Sequence, residues 1–321
     1  MHPDHLPVPS PGQRALSLAV RIVEFPLLKL AWGLLLFAGA TWLFGALFPD
    51  LGRMTNATIA GSFRRALLAT LSLWATVRLF EGRTLGQAVG LSLRRAPADL
   101  SRGLLLAGAL LSLAIGVLAL AGDYRIEGLG DGASLSYLAE IGLLAVCVAV
   151  AEEVLARGML LRFVEQALGT WAALAVSALL FGFAHLGNPG ASVLSSVAIA
   201  VEGGLLFGAA YVAARSLWLP IGMHIAWNFF EGPLFGAPVS GHVVPSLVQA
   251  QIVGDPWLTG GRFGPEAGLP VFVLGTAAGV AAMVLAVRRG QILTPRWLSR
   301  LLRRMNRVPQ PPAVSGPAPA S

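Results

Sequence analysis

Charged residues are scarce in this 321-residue sequence: Asp, Glu, Lys and Arg make up only 12% of it, against roughly 25% in an average soluble domain. Hydrophobic residues account for 55% of the chain. Apolar runs of about 20 residues, the length that a helix needs to cross a bilayer, recur along it. The sequence therefore predicts an all-α fold, a polytopic membrane helical bundle with about eight transmembrane helices.

Cysteine and lysine are nearly absent, since Cys147 and Lys29 each occur once. A single cysteine excludes a disulfide framework and any zinc site built from cysteines. The net charge of +7 therefore rests on arginine. The arginines cluster in short stretches and indicate membrane orientation and contacts with lipid headgroups. No soluble basic module is present, so we do not expect nucleic acid as a partner.

The arginines also predict an orientation. The predicted spans cover residues 30–48, 66–77, 103–121, 137–161, 171–185, 193–212, 217–230 and 269–287. Arginine is dense in loop 78–102 and after the last span, but sparse in loops 122–136 and 231–268. The positive-inside rule then places both termini in the cytoplasm, with Arg64 and Arg65 in conflict because they fall on the outer side.

We divide the chain into five segments. They are a cytoplasmic N-terminal segment (1–29), N-terminal transmembrane helices (30–136), a core segment (137–232), an outer loop with the last span (233–290), and a basic amphipathic helix with a disordered tail (291–321). Short interfacial helices are predicted after Ser10-Pro11 and after Thr294-Pro295. The second carries arginines on one face, so we expect it to bind anionic lipids.

Two adjacent carboxylates and a guanidinium interrupt the fourth predicted span: Glu152, Glu153 and Arg157. Each costs roughly 2.5–3.5 kcal/mol at the centre of a membrane helix on insertion scales, so such groups usually mark a functional site. Glu153 and Arg157 stand four residues apart with the acid first, the better order for a helical ion pair. Glu152 lies about 100° further round the helix. We therefore predict a structural ion pair for Glu153 and Arg157, and a chemical role for Glu152.

Other polar residues fall within or at the ends of predicted spans. His185 ends the fifth span, Glu202 interrupts the sixth, and His224 and Asn228 lie one turn apart on the seventh. A lone membrane histidine more often hydrogen-bonds to a neighbouring helix than takes part in catalysis. Together, however, these groups can supply a base, proton carriers or metal ligands, and a donor for an oxyanion. The role of Glu202 stays open.

Three motifs carry a resemblance to a known family. Glu-Glu-x-x-x-Arg at 152–157, Phe-x-x-x-His at 181–185 and His-x-x-x-Asn at 224–228 follow one another on separate predicted helices. Over about residues 137–232 the chain resembles the CAAX protease and bacteriocin-processing (CPBP, or Abi) family, and the resemblance implies that this core segment is the protease core. That family includes the type II CAAX prenyl endopeptidases and many bacterial intramembrane proteases. Each motif is weak alone, but their order and separations make the set specific.

The resemblance implies an intramembrane endopeptidase. In the family's mechanism, Glu152 with His185 would activate water, and His224 with Asn228 would stabilise the oxyanion. The resemblance favours a glutamate-dependent mechanism without metal or other cofactor. If zinc is bound instead, its ligands would be Glu152, His185 and His224. The expected substrate is a peptide or a membrane protein, and the oligomeric state is not predicted.

Two other functions stay open: a proton-coupled transporter and a non-catalytic scaffold with the family fold. A transporter more often shows internal repeats or broken helices in matching halves, and the sequence shows neither. The preference for arginine over lysine indicates a bacterial protein of the inner membrane. One tension remains, because this orientation puts Glu152 and His224 in the cytoplasmic half of their spans and His185 near the outer end of its own.

Overall fold

The computed structural model describes residues 25–54 and 58–295, and this part of the chain is mostly α-helical. Eight long helical segments, named α1 to α8 here, occur in it at the positions of the predicted spans. They are α1 (Pro26–Leu47), α2 (Ile59–Glu81), α3 (Ala96–Ala121), α4 (residues 135–168), α5 (Thr170–Ala184), α6 (Val193–Ala214), α7 (residues 218–234) and α8 (Leu269–Arg288). Short helices cover Pro49–Gly52, Leu85–Val89, Pro256–Thr259 and Pro265–Ala267.

Membrane-crossing dimensions are clearest for four of these helices. Among the described residues, α1, α3, α6 and α8 are long and apolar enough to cross a bilayer. Large apolar side chains such as Trp42 on α1 and Leu105 on α3 are exposed, as expected for helices that face lipid. The full count of eight spans stays a prediction. Both predicted interfacial helices lie wholly or mostly outside the described residues, and the division into five segments also stays a prediction.

Three helices contain π-helical stretches, and each stretch contains or adjoins a charged residue of the membrane region. In α4, the α-helix Leu135–Glu153 continues as the π-helix Val154–Leu161 and then as Arg162–Leu168. In α6 the π-helix is Ala200–Leu206, between Val193–Ile199 and Phe207–Ala214. In α7, Trp218–Phe229 is followed by the π-helix Phe230–Leu234. Such π stretches interrupt regular helix geometry and are frequent at functional sites.

Helix α2 is much longer than the predicted span 66–77. Thr58 caps its N-terminus by accepting a hydrogen bond from the Gly61 amide at 3.2 Å, and Gly82 ends it in a left-handed conformation. The added N-terminal turns include Arg64 and Arg65. Our prediction ended at these charges because it counted only apolar residues, and the helix extends beyond it at both ends. The bounds of the membrane span itself stay a prediction.

Two antiparallel strands, β1 (Tyr124–Leu129) and β2 (Val248–Ile252), join the loops that follow α3 and α7. The sequence analysis predicted no strand there. The Tyr124 hydroxyl donates a 2.8 Å hydrogen bond to the carbonyl of Phe235 and ties the ribbon to the end of α7. These two arginine-poor loops therefore share one end of the bundle, which we call the ribbon end.

The arginine-rich turns meet at the opposite end of the bundle. Arg162 at the end of α4 is paired with Glu81 at the end of α2. Arg215, which ends α6, contacts Glu165 at 2.6 Å. The two ends therefore differ in arginine content as the loops predicted, and their assignment to the two sides of the membrane stays a prediction.

Helix α7 carries two predicted site residues and packs tightly against α3. A Cβ added at Gly103 would lie 2.7 Å from the Met223 amide nitrogen, and one added at Gly222 would lie 2.5 Å from the Leu100 carbonyl oxygen. Glycine at both positions therefore lets the two backbones approach closely, as small residues commonly do in membrane helix pairs. This contact fixes the position of His224 in the bundle.

Candidate active site

The Glu153–Arg157 pair lies at the start of the π-helical stretch of α4. Arg157 Nη1 is 2.7 Å from Glu153 Oε1, and neither side chain is exposed. Arg157 Nη2 also donates to the main-chain carbonyls of Gly203 and Gly204 on α6, the second at 3.1 Å. Its guanidinium lies 4.7 Å from the centre of the Phe181 ring on α5. One buried arginine thus contacts three helices of the predicted protease core.

His224 lies between the two adjacent glutamates of α4. Its Nδ1 is 2.9 Å from Glu153 Oε1, and its Nε2 is 3.9 Å from Glu152 Oε2. If Glu153 is ionised, as its contact with Arg157 favours, it can only accept, so His224 Nδ1 carries a proton. Glu153 therefore orients the imidazole and directs its other nitrogen toward Glu152. The sequence analysis assigned Glu153 to Arg157 alone and missed this second contact.

Glu152 has a cationic partner from another helix. Arg65 Nη1 of α2 lies 3.2 Å from Glu152 Oε1, and the Glu152 side chain is 18% exposed. The structure thus places Arg65 against a partly buried acid inside the bundle, which accounts for its conflict with the positive-inside rule. The contact joins residues that are 87 positions apart in the chain, and helix periodicity gave no signal for it.

A small cavity, which we call the site cavity, brings together side chains from three helices and the loop before α8. Its volume is about 30 Å³, enough for a water molecule. Its polar lining residues are His185, Glu202, His224, Asn228, Ser240 and Glu266. Three of the four predicted catalytic residues therefore share one cavity, and the fourth, Glu152, adjoins it through His224.

His185 reaches this cavity from the end of α5. Its Nδ1 is 2.8 Å from the Phe181 carbonyl oxygen, which can only accept, so Nδ1 donates and Nε2 is left as an acceptor in the neutral ring. The Phe181 ring lies 4.9 Å from the His185 ring and 6.4 Å from the His224 ring, measured between centroids. The predicted difference in depth between these histidines thus does not separate them. No direct hydrogen bond joins His185 to Glu152, both of which the structure describes.

The family model of the type II CAAX prenyl endopeptidases, Rce1-like, matches residues 134–230. The match spans 97 of the 321 residues, and over this segment the chain is similar to that family. The resemblance inferred from the three motifs is thereby confirmed. No curated protein and no solved structure matches the chain.

The Rce1-like segment contains all the residues of the three motifs. Glu152, His185, His224 and Asn228 lie within 134–230. The family supports a membrane peptidase of the CAAX protease type, which acts on a peptide or protein. Together with the membrane-crossing helices, it identifies an integral membrane protein.

Two acids near the Rce1-like site were missed by the sequence analysis, Glu231 and Glu266. Glu266 lines the site cavity, where its carboxylate accepts hydrogen bonds from Trp227 Nε1 at 3.2 Å and from the Ser240 amide. The Glu266 amide in turn donates to Glu231 Oε1 at 3.0 Å. Burial raises the pKa of the Glu266 carboxyl, while the Ser240 hydrogen bond opposes this. A sequence signal existed only for Glu231, a charge directly after the apolar run of α7.

The side chains as placed do not form a zinc site. Among the described residues, no three His, Cys, Asp or Glu side chains are grouped so that they could hold a metal ion. In the predicted zinc set of Glu152, His185 and His224, both histidines would have to offer Nε2; His224 Nε2 is 3.9 Å from Glu152 Oε2, and the three side chains are not grouped around one point. A catalytic zinc needs its ligands at about 2.0–2.2 Å from one point. We therefore derive no step through a metal, and metal independence stays a prediction.

Proposed function

We propose that this protein is an intramembrane endopeptidase that uses Glu152 to activate water. The observation that carries the proposal is the contact of Glu152 with His224 at the edge of a water-sized cavity, within the Rce1-like segment. Hydrolysis of a peptide bond needs a base for water, donors for the tetrahedral oxyanion, and a proton for the amine that leaves.

Glu152 and His185 take the first role. Arg65, at 3.2 Å, favours the ionised form of Glu152, which is the form that accepts a proton. His185 offers the lone pair of Nε2 because its Nδ1 is engaged with Phe181. A water molecule that bridges these two acceptors would be oriented for attack, and such contacts commonly tighten when substrate binds.

His224 and Asn228 take the second role. They lie one turn apart on α7 and both line the site cavity. The Asn228 amide is a neutral donor. His224 already donates from Nδ1 to Glu153, so its Nε2 donates to an oxyanion only in the doubly protonated ring. Two preorganised donors of this kind, in a site that excludes water, stabilise a transition state by several kcal/mol.

Glu153 and Arg157 position these groups without touching substrate. Glu153 sets the orientation of His224, and Arg157 fixes Glu153 and the carbonyls of the α6 π-helix. The substrate class that suits this site is a peptide or membrane protein delivered from the bilayer. We further propose that the protein resides in a bacterial inner membrane with both termini cytoplasmic, and that the basic tail contacts anionic lipids.

The direct test is cleavage of a labelled peptide library by the purified protein in detergent. We expect the wild type to cleave a subset of peptides and Glu152→Ala to cleave none. Glu140→Ala is the matched control, because Glu140 lies on the same helix but is exposed. A wild type that cleaves nothing, or a Glu152→Ala variant as active as Glu140→Ala, would overturn the proposal.

A further inference from the structure

Glu202 is a buried acid at the site cavity to which the family motifs assign no role. It is 1% exposed, and neither of its carboxyl oxygens has a hydrogen-bond partner within the described part of the chain. It lines the same cavity as His224 and Asn228. A buried polar group without partners is rare in folded proteins and calls for an explanation.

Such a carboxyl group is expected to be protonated. An ionised carboxylate without a counter-charge or donor is very costly in an apolar interior, so the group takes up a proton instead. The acids Glu266 and Glu231 near it are also buried carboxyls, and neither His185 nor His224, which share its cavity, forms a hydrogen bond with it. Glu266 contrasts with Glu202, because it accepts hydrogen bonds from Trp227 and Ser240 and can hold a negative charge.

The backbone holds Glu202 firmly toward the cavity. It lies in the π-helix Ala200–Leu206, whose Gly203 and Gly204 carbonyls are bound by Arg157. On the side of α8, a Cβ added at Gly275 would lie 3.1 Å from Glu202 Cγ, so this helix packs closely on the side chain. Glu202 is thus a neutral O–H donor in a fixed position beside the predicted oxyanion groups.

The reaction proposed above needs such a donor. An amide nitrogen cannot leave a tetrahedral intermediate as an anion and must be protonated first. Glu202 lines the cavity beside the predicted oxyanion groups, whereas Glu152 only adjoins it through His224.

We infer that Glu202 is the general acid that protonates the leaving amine, an inference that rests on the proposed peptidase function. In this step the O–H bond of Glu202 breaks, an N–H bond forms on the amide nitrogen, and the C–N bond of the tetrahedral intermediate breaks. The electron pair of the C–N bond stays on the nitrogen, and Glu202 is left as a carboxylate. To complete the cycle, the proton that Glu152 removed from water must be transferred to the Glu202 carboxylate. No oxidant or further reactant is needed.

The test compares two substrates that differ in the leaving group. One is a cleaved peptide with its amide bond, and the other is the matching aryl ester, whose phenolate has a conjugate acid of pKa about 10 and leaves without prior protonation. We expect Glu202→Gln to lower kcat for the amide about a hundredfold or more, the usual contribution of general acid catalysis, and kcat for the ester only a few-fold. Glu202→Asp should restore part of the amide activity. Glu231→Gln is the matched control, because Glu231 is equally buried but does not line the site cavity.

Equal losses on both substrates, or no loss on either, would overturn the inference. Infrared spectroscopy of the full-length protein gives a readout that does not depend on activity: the C=O band of a protonated carboxyl should be present in wild type and reduced in Glu202→Gln. If that band is unchanged, Glu202 is not neutral and cannot be the donor, whether or not the variant is active. If wild type cleaves neither amide nor ester, the peptidase proposal fails and the donor role fails with it. Wild-type cleavage with unselective Glu202→Gln losses refutes the donor role alone.

Discussion

Replacing Arg157 with methionine should destabilise the protein more than any other single change in the polar network of α4. The substitution keeps an unbranched side chain but removes the guanidinium that is 2.7 Å from Glu153. It leaves Glu153 fully buried without its arginine, and it leaves the Gly203 and Gly204 carbonyls without that donor. Stranding one partner of a buried ion pair typically lowers the free energy of unfolding by about 3–5 kcal/mol, and we expect a loss in that range.

A second substitution tests the cause of this loss. In the double variant Glu153→Gln/Arg157→Met no stranded charge remains, and the side-chain amide oxygen introduced by the first change would still accept from His224. We therefore expect the double variant to be more stable than Arg157→Met alone. Peptidase activity should stay low in the double variant, because His224 has lost its charged partner Glu153 there. Stability and activity should thus separate.

The free energy of unfolding would be measured by reversible unfolding in detergent or bicelles, with the fraction of folded protein as the readout. Arg53→Met is the control, because Arg53 pairs with Asp50 at 2.6 Å on an exposed surface, where ion pairs contribute little. The reasoning is refuted if Arg157→Met is as stable as Arg53→Met. It is also refuted if the double variant loses the sum of the two single losses, since the two side chains would then act independently.

Three further predictions concern the site and the tail. Arg65→Gln should lower turnover at neutral pH about fivefold, the effect of ~1 kcal/mol for a partly exposed pair, and a rate equal to wild type would remove Arg65 from the mechanism. Asn228→Ala should lower kcat about 10²–10³-fold with little change in KM, as measured by steady-state kinetics, and a change confined to KM would exclude an oxyanion role. Truncation before Thr294 spares Leu293, whose amide donates to the Thr170 hydroxyl at 2.8 Å, so turnover in detergent should stay near wild type while binding to anionic vesicles weakens. A truncated protein that is folded but inactive would contradict this.

The helices were predictable because apolar runs and local spacing decide them. Each predicted span overlaps a long helical segment of the structure, and the i,i+4 order of Glu153 and Arg157 anticipated their contact. Helix α2 is longer than the predicted second span, because Arg64 and Arg65 were read as flanks of the membrane. Within the bundle, a guanidinium is tolerated beside an acid, and hydropathy does not record such a pairing.

The rest depended on contacts between distant parts of the chain. The β1–β2 ribbon joins segments more than a hundred residues apart. Both strands alternate apolar and polar residues, β2 throughout and β1 over its first four residues, but such short signals did not indicate that the two segments would pair. The carboxylate of Glu266 meets Trp227 across 39 positions. The π-helical stretches that place Glu202 and Arg157 arise from packing between helices and have no sequence period of their own. The sequence therefore indicated which residues are chemically reactive, but it did not indicate which of them are in contact in the folded protein.

The most direct test of the account is the activity of protein that is verifiably free of metal. The wild type, Glu152→Gln and the control Glu140→Gln would each be stripped with a strong chelator, checked by elemental analysis, and assayed on the same labelled peptide. The account predicts that wild type and Glu140→Gln cleave at their original rates, and that Glu152→Gln is folded but inactive. Activity that disappears from wild type on stripping and returns with stoichiometric zinc would contradict it and make the protein a metallopeptidase.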